Sequence, residues 1–108
     1  MKYKVFLTKK AEQELNEIID YMVTNGDVNS AYKTFKKIRD RVELLKISHE
    51  QGRAIPELEM FKVKDYREVI VKPWRIIYKI EKEIIKVLLV IDGRRNVEDI
   101  LFDKLLVQ

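Results

Sequence analysis

Cysteine is absent, which removes disulfides, thiolate metal sites and cysteine nucleophiles together and suits a reducing compartment. Three glycines and two prolines leave no room for a Gly-rich phosphate loop or a long flexible linker. The single histidine, His49, has no second histidine to join it in a metal site and no serine–aspartate partner pattern around it. A lone histidine in a connector reads as a surface residue before it reads as a general base. No cofactor is expected. The longest apolar run, Val87 to Ile91, is far short of the roughly 20 residues that cross a bilayer. The start, MKYKVFLTKK, lacks the long apolar segment of a signal peptide, so the expectation is a soluble, cytoplasmic protein with no membrane partner.

What remains is a mildly basic chain of 108 residues with a formal net charge of +4, enough for one core and one domain spanning 1–108. Tyr3 to Leu7 reads as a strand. Thr8 is placed to cap a helix in which Ala11, Leu15, Ile18, Ile19 and Met22 recur at helical spacing. Asn25-Gly26 should end it through a left-handed glycine. Asp27 can cap a second helix carrying Ala31, Phe35, Ile38, Val42 and Leu45, and so short a turn implies an antiparallel hairpin.

The polar faces of the two helices differ in sign. The first carries Glu12, Glu14, Glu17 and Asp20; the second carries Lys33, Lys36, Lys37, Arg39, Arg41 and Lys46. A solvated face with cross-helix ion pairs is the preferred reading, and an anion-facing second helix the sharper one. After the connector SHEQGRAIPEL the period changes. Tyr66–Val71, Trp74–Ile80 and Ile84–Ile91 are β-branched and aromatic runs with breaks too short for crossovers, hence an antiparallel meander. Asn96 looks like the cap of a short final helix bearing Val97, Ile100, Leu101, Leu105 and Leu106, which either packs on the domain or docks a target or a second subunit, packing being the default. The fold class is α+β: an N-terminal strand, a helical hairpin on a small antiparallel sheet, and a C-terminal helix (β-α-α-β-β-β-α).

Alternation along Trp74–Ile80 places Trp74, Ile76, Tyr78 and Ile80 toward the helices and Arg75, Ile77 and Lys79 on the opposite face. Arg94 and Arg95 lie just beyond the next strand and could converge there. Arg67 joins them only in one register of the Lys72-Pro73 turn. These cations either keep an exposed sheet face soluble or form a groove for an acidic segment or a phosphate backbone.

PWRIIYKI, a short turn, an apolar strand and GRR before a final helix, preceded by GRAIPEL and REVIV in order, resemble the ParE/RelE toxin superfamily of type II toxin–antitoxin modules. The resemblance covers nearly the whole chain. It implies a toxin fold and a cognate antitoxin whose disordered tail folds as it binds. It also implies one of two targets: DNA gyrase for ParE-like members, or the ribosome and its mRNA for RelE-like endoribonucleases. In the second case Arg75 with Arg94 or Arg95 would be the catalytic cations, with His49 or Glu68 as base. The chain departs from the ribonuclease pattern. Tyr66-Arg67-Glu68 lacks a lysine pair, and Leu101 stands roughly where a C-terminal tyrosine belongs. Each such group is worth about 10²–10³ in rate, so the ParE-like reading, non-catalytic, leads. Its functional surface would comprise Arg67, Trp74, Arg75, Lys79, Arg94 and Arg95, and a homodimer is a further partner option.

Overall fold

In the computed structural model, which describes residues 3–106, β1 (Lys4–Leu7) is followed by α1 (Lys9–Asn25) and α2 (Val28–Leu44). A two-residue strand β2 (Arg53–Ala54) and a single turn α3 (Pro56–Glu59) occupy the connector. The chain continues through β3 (Tyr66–Val71), β4 (Trp74–Glu81), β5 (Ile84–Asp92) and α4 (Val97–Leu101), and finishes in a π-helical turn over Phe102–Leu106. The sheet runs β1-β5-β4-β3-β2, antiparallel except for β1 beside β5. This is the expected α+β architecture, with β2 and α3 added in the connector.

The helix starts follow their caps. Thr8 Oγ1 accepts from the Ala11 N–H, Asp27 Oδ1 from Ser30 N–H, and Asn96 Oδ1 from Asp99 N–H, each satisfying an amide that the helix leaves unpaired. The end of α1 differs from expectation. Gly26 has φ −138° and ψ −125° rather than a left-handed conformation. Glycine is used there for room, since a Cβ would sit 2.9 Å from the Met22 carbonyl oxygen.

The helical hairpin covers one face of the sheet. Ala11, Leu15, Ile38, Val42 and Leu45 meet Val69, Ile76, Tyr78, Ile85, Val87 and Val90 in a first core. The opposite face is not open, as alternation alone left it. Ile77, Leu89 and Ile91 form a second core with Ile55, which caps α3, with Leu58 of α3, and with Val97 and Leu101 of α4. The C-terminal helix therefore packs on the domain. A bulge lets β5 serve both cores. Ile77 pairs with Leu89 and Tyr78 with Val87, so Leu88 is the extra residue, and the alternation of β5 changes phase there.

Tyr78 ties the connector to the sheet. Its buried Oη accepts from the Gly52 N–H at 3.0 Å and donates to the His49 carbonyl at 2.9 Å. A Cβ at position 52 would lie 2.2 Å from that oxygen, which explains the glycine. Tyr78→Phe leaves a buried amide without a partner, so we expect a loss of about 2 kcal/mol in chemical denaturation; an unchanged midpoint would contradict this role.

Candidate functional site: a groove between the first and last helices

Both open edges of the sheet are met by helix side chains. On the β3 side, Arg41 Nη1 donates to the Ile70 carbonyl at 3.3 Å. On the β5 side, β1 pairs only as far as Val87. Beyond it, Glu14 of α1 reaches down to accept from the Val90 N–H at 3.0 Å. Such stoppers blunt an edge that would otherwise template another strand.

The Glu14 contact marks the floor of a groove of about 940 Å³ between α1 and the C-terminal helix. One wall is the α1 face carrying Lys10, Glu14, Ile18 and Tyr21, spaced as helical neighbours. The floor is Val90 and Trp74. The other wall is built by the turn after β5 and by α4, with Arg94, Arg95, Asp99 and Ile100. Asp92 orders this turn: its Oδ1 accepts from the Arg94 N–H and Nε, both at 2.9 Å, and its Oδ2 from Arg94 Nη2 at 2.7 Å. Asp92 is accordingly held below the ordinary carboxylate range, chiefly by the Arg94 side chain. Arg95 is exposed and enters no ion pair among the described residues, although its charge reaches Glu14 and Asp92.

Burial pushes the Glu14 carboxyl upward, against the opposing effects of the Val90 amide and Lys10. A carboxyl raised in the folded state weakens folding as pH climbs from the unfolded value through the folded one. Glu14→Gln keeps an acceptor for Val90 and removes the charge. Its expected melting temperature at pH 7 therefore equals or exceeds wild type, with the difference vanishing at pH 3. A clear drop at pH 7 would show that the charge itself is needed.

The groove gathers three of the six residues expected at a functional surface: Trp74, Arg94 and Arg95. Trp74 also packs on the margin of the first core, so it is half core and half floor. The other three lie elsewhere. Arg67 pairs with Tyr78 and so shares the helix-side face, where its Nη1 donates to the Gly52 carbonyl at 3.0 Å. Lys79 lies on the opposite face over the Tyr66 ring, 5.7 Å from its centroid, and 3.7 Å from Glu81.

Arg75 departs most from the expectation of an uncovered cation. Its Nη1 and Nη2 donate to both carboxylate oxygens of Glu57 at 2.6 Å, and its Nε donates to Glu68 at 2.6 Å. The side chain is 11% exposed. Glu68 is buried and also accepts from Arg53 Nε at 2.8 Å. The alternation placed Arg75 on the correct face; what it missed is α3, which covers that face and supplies Glu57. Glu68 cannot serve as a free base between two guanidinium groups. His49 is stacked on Tyr3, ring centroids 4.0 Å apart, away from the groove residues.

Sequence reasoning missed Lys10, Glu14, Ile18 and Tyr21 as groove residues. Their shared helical face was legible, but nothing local to α1 said that it would meet the C-terminal helix. The groove is also not cationic. Its five carboxylates (Glu14, Glu17, Asp92, Asp99, Asp103) offset its four cations (Lys10, Arg94, Arg95, Lys104). No cluster of three or more potential metal ligands occurs among the described residues, and no described helix is long and apolar enough to cross a membrane.

A mixed sheet with a parallel N-terminal strand, a helical hairpin on one face and a short terminal helix on the other make a small α+β fold. The family model described as "ParE toxin of type II toxin-antitoxin system, parDE" matches residues 5–97, and the chain belongs to this family. It is a ParE-like toxin of a type II toxin–antitoxin system, which implies a cognate antitoxin as partner. A solved structure described as the chromosomal ParDE TA system from P. aeruginosa superposes with a TM-score of 0.67 at 22% identity, over 82% of this chain and 94% of that one. The solution structure of the conserved hypothetical protein HP0894 from Helicobacter pylori superposes at 0.50 with 18% identity, over 82% and 91%. At these identities the likeness concerns the fold. No curated protein matches the chain in sequence.

Proposed function

We propose that this toxin arrests growth by binding DNA gyrase through the rim of the groove, with Arg94, Arg95 and Trp74 as the contacting residues, and that it performs no chemistry of its own. The observation that carries the reading is the capture of Arg75. A ribonuclease mechanism needs that guanidinium free to bind phosphate, whereas here both of its edges are taken up by Glu57 and Glu68. Extracting it for RNA would strip Glu57 of its cation and leave the buried Glu68 only the half-exposed Arg53. Leu101 supports the same reading, since it is fully buried in the second core and offers no phenol near the arginines.

The competing reading retains one observation in its favour. Tyr21 places a phenol on the groove wall facing Arg94 and Arg95, from α1 rather than from the C-terminal segment. Mapping 5′ ends of mRNA in cells arrested by the protein separates the two. Intact transcripts at full growth arrest are the expected result. New cuts that disappear in a Tyr21→Phe variant would install the ribosome as target.

The cytoplasm, where both targets reside, is the proposed compartment. The antitoxin partner would neutralise the toxin by covering this groove or the arginines at its rim.

A further inference from the structure

The opposite signs of the two helices were reconciled above by cross-helix ion pairs. The structure contains none: no ion pair among the described residues joins α1 to α2. Glu14 is turned inward to Val90, and Glu17 accepts from Gln13 on its own helix. On α2, Arg39 pairs with its neighbour Asp40 at 3.6 Å and lies over the Phe35 ring, 5.9 Å from its centroid. Lys33, Lys36 and Lys37 are exposed and enter no ion pair among the described residues. The cap Asp27 is held below the ordinary carboxylate range chiefly by its hydrogen bonds from Ser30, with a smaller contribution from Lys33.

These residues form one continuous strip. Positions 33, 36 and 37 are helical neighbours, Arg39 and the 61%-exposed Tyr32 border them, and the stretch from 32 to 39 rises about 10 Å along the helix. Its three lysines offer one cation to each of roughly three phosphates, which one duplex strand presents at 3.4 Å of axial rise apiece. The helix is held rigid from behind by Ala31, Ile38 and Val42, so the charges are presented without prior ordering of the backbone. Lys33, Lys36 and Lys37 line neither the groove between α1 and the C-terminal helix nor the hollow beside Ala54, Val63 and Arg67. A flat array of unneutralised cations fits a regular row of anions.

We propose that the outer face of α2 is a nucleic-acid surface that contacts the phosphate backbone of duplex DNA, independently of sequence and apart from the groove. In a target complex that contains DNA this face would add affinity, but the property belongs to the toxin alone and does not depend on gyrase being the target.

The test is fluorescence anisotropy of a labelled 20-base-pair duplex titrated with the folded toxin at 50 to 200 mM KCl. Three phosphate contacts give a slope of log K against log[salt] of about −2.7, or about a 40-fold loss across that range. A scrambled duplex should bind equally. The Lys33→Glu/Lys36→Glu/Lys37→Glu variant should lose binding at 50 mM while melting as wild type does, and the milder Lys→Gln set should weaken it and flatten the slope. Lys62→Glu/Lys64→Glu should leave it intact. Absence of binding by folded wild type at 50 mM overturns the proposal, as does undiminished binding by the α2 variants. Equal affinity for poly-glutamate of matched charge would also overturn it, by making the partner an acidic protein.

Discussion

Arg75→Ala should lower the stability of this toxin by about 3 kcal/mol or more, enough to move the melting temperature down by more than about 10 °C in a domain of this size. A surface arginine would cost a fraction of that. The difference lies in what the truncation leaves behind. Glu68 has a side chain with no exposed area and would keep only Arg53, whose own side chain is 56% exposed. Glu57 would lose both of its charge-assisted hydrogen bonds. The network also joins four elements, β2, α3, β3 and β4, so its loss loosens the cover of the second core.

Acidification should expose the same dependence. The Arg75 side chain holds Glu57 below the ordinary carboxylate range, ahead of the opposing effect of burial. A lowered folded pKa gives stability that is present above the unfolded value and is lost as pH falls through the folded one. Wild type should therefore lose stability on titration below about pH 4.5 through Glu57, and Arg75→Ala should lack that component. Replacing the pair together, Arg75→Met with Glu68→Leu, removes the stranded buried charge and should recover most of the lost stability. That double variant should still arrest growth, because Arg75 touches no target in this account. An Arg75→Ala protein of normal stability would contradict the structural role.

Arg94→Ala/Arg95→Ala should do the reverse: melt like wild type and lose activity. Both side chains are exposed, and among the described residues the one ion pair lost is that of Arg94 with Asp92. Interface hot spots are rich in arginine and lose 2 kcal/mol or more on truncation, about 30-fold in affinity. Two such losses predict target binding weakened by about 10²–10³, read as colonies surviving full induction. Asp92→Asn should have a smaller effect in the same direction, since it frees Arg94 without removing it. Full toxicity in the folded double variant would move the functional surface off this rim.

The contrast between Arg75 and Arg94–Arg95 also shows how far the sequence could be read. Thr8, Asp27 and Asn96 announced their helices because a cap and its amide lie three residues apart, within sight of local pattern. The faces of Trp74–Ile80 followed from alternation, which holds along an unbroken strand. Arg75 was misjudged because its partners come from two other segments: Glu57 from a one-turn helix too short to show periodicity, and Glu68 through a β3–β4 register that the Lys72-Pro73 turn concealed. The phase change at Leu88 was equally hidden, since a continuous apolar run looks the same with or without a bulge. The groove needed both the α1 face and the path of the C-terminal helix, and only the first was legible.

A toxin that holds gyrase rather than cutting RNA must act on the purified enzyme without a ribosome. The direct measurement is a supercoiling and DNA-cleavage assay with purified gyrase, ATP and the folded toxin, with Arg94→Ala/Arg95→Ala as comparison. The expected result is loss of supercoiling with accumulation of cleaved DNA, at toxin concentrations where the double variant has no effect. Unimpaired supercoiling at saturating wild-type toxin, in a preparation that still arrests growth, would contradict it.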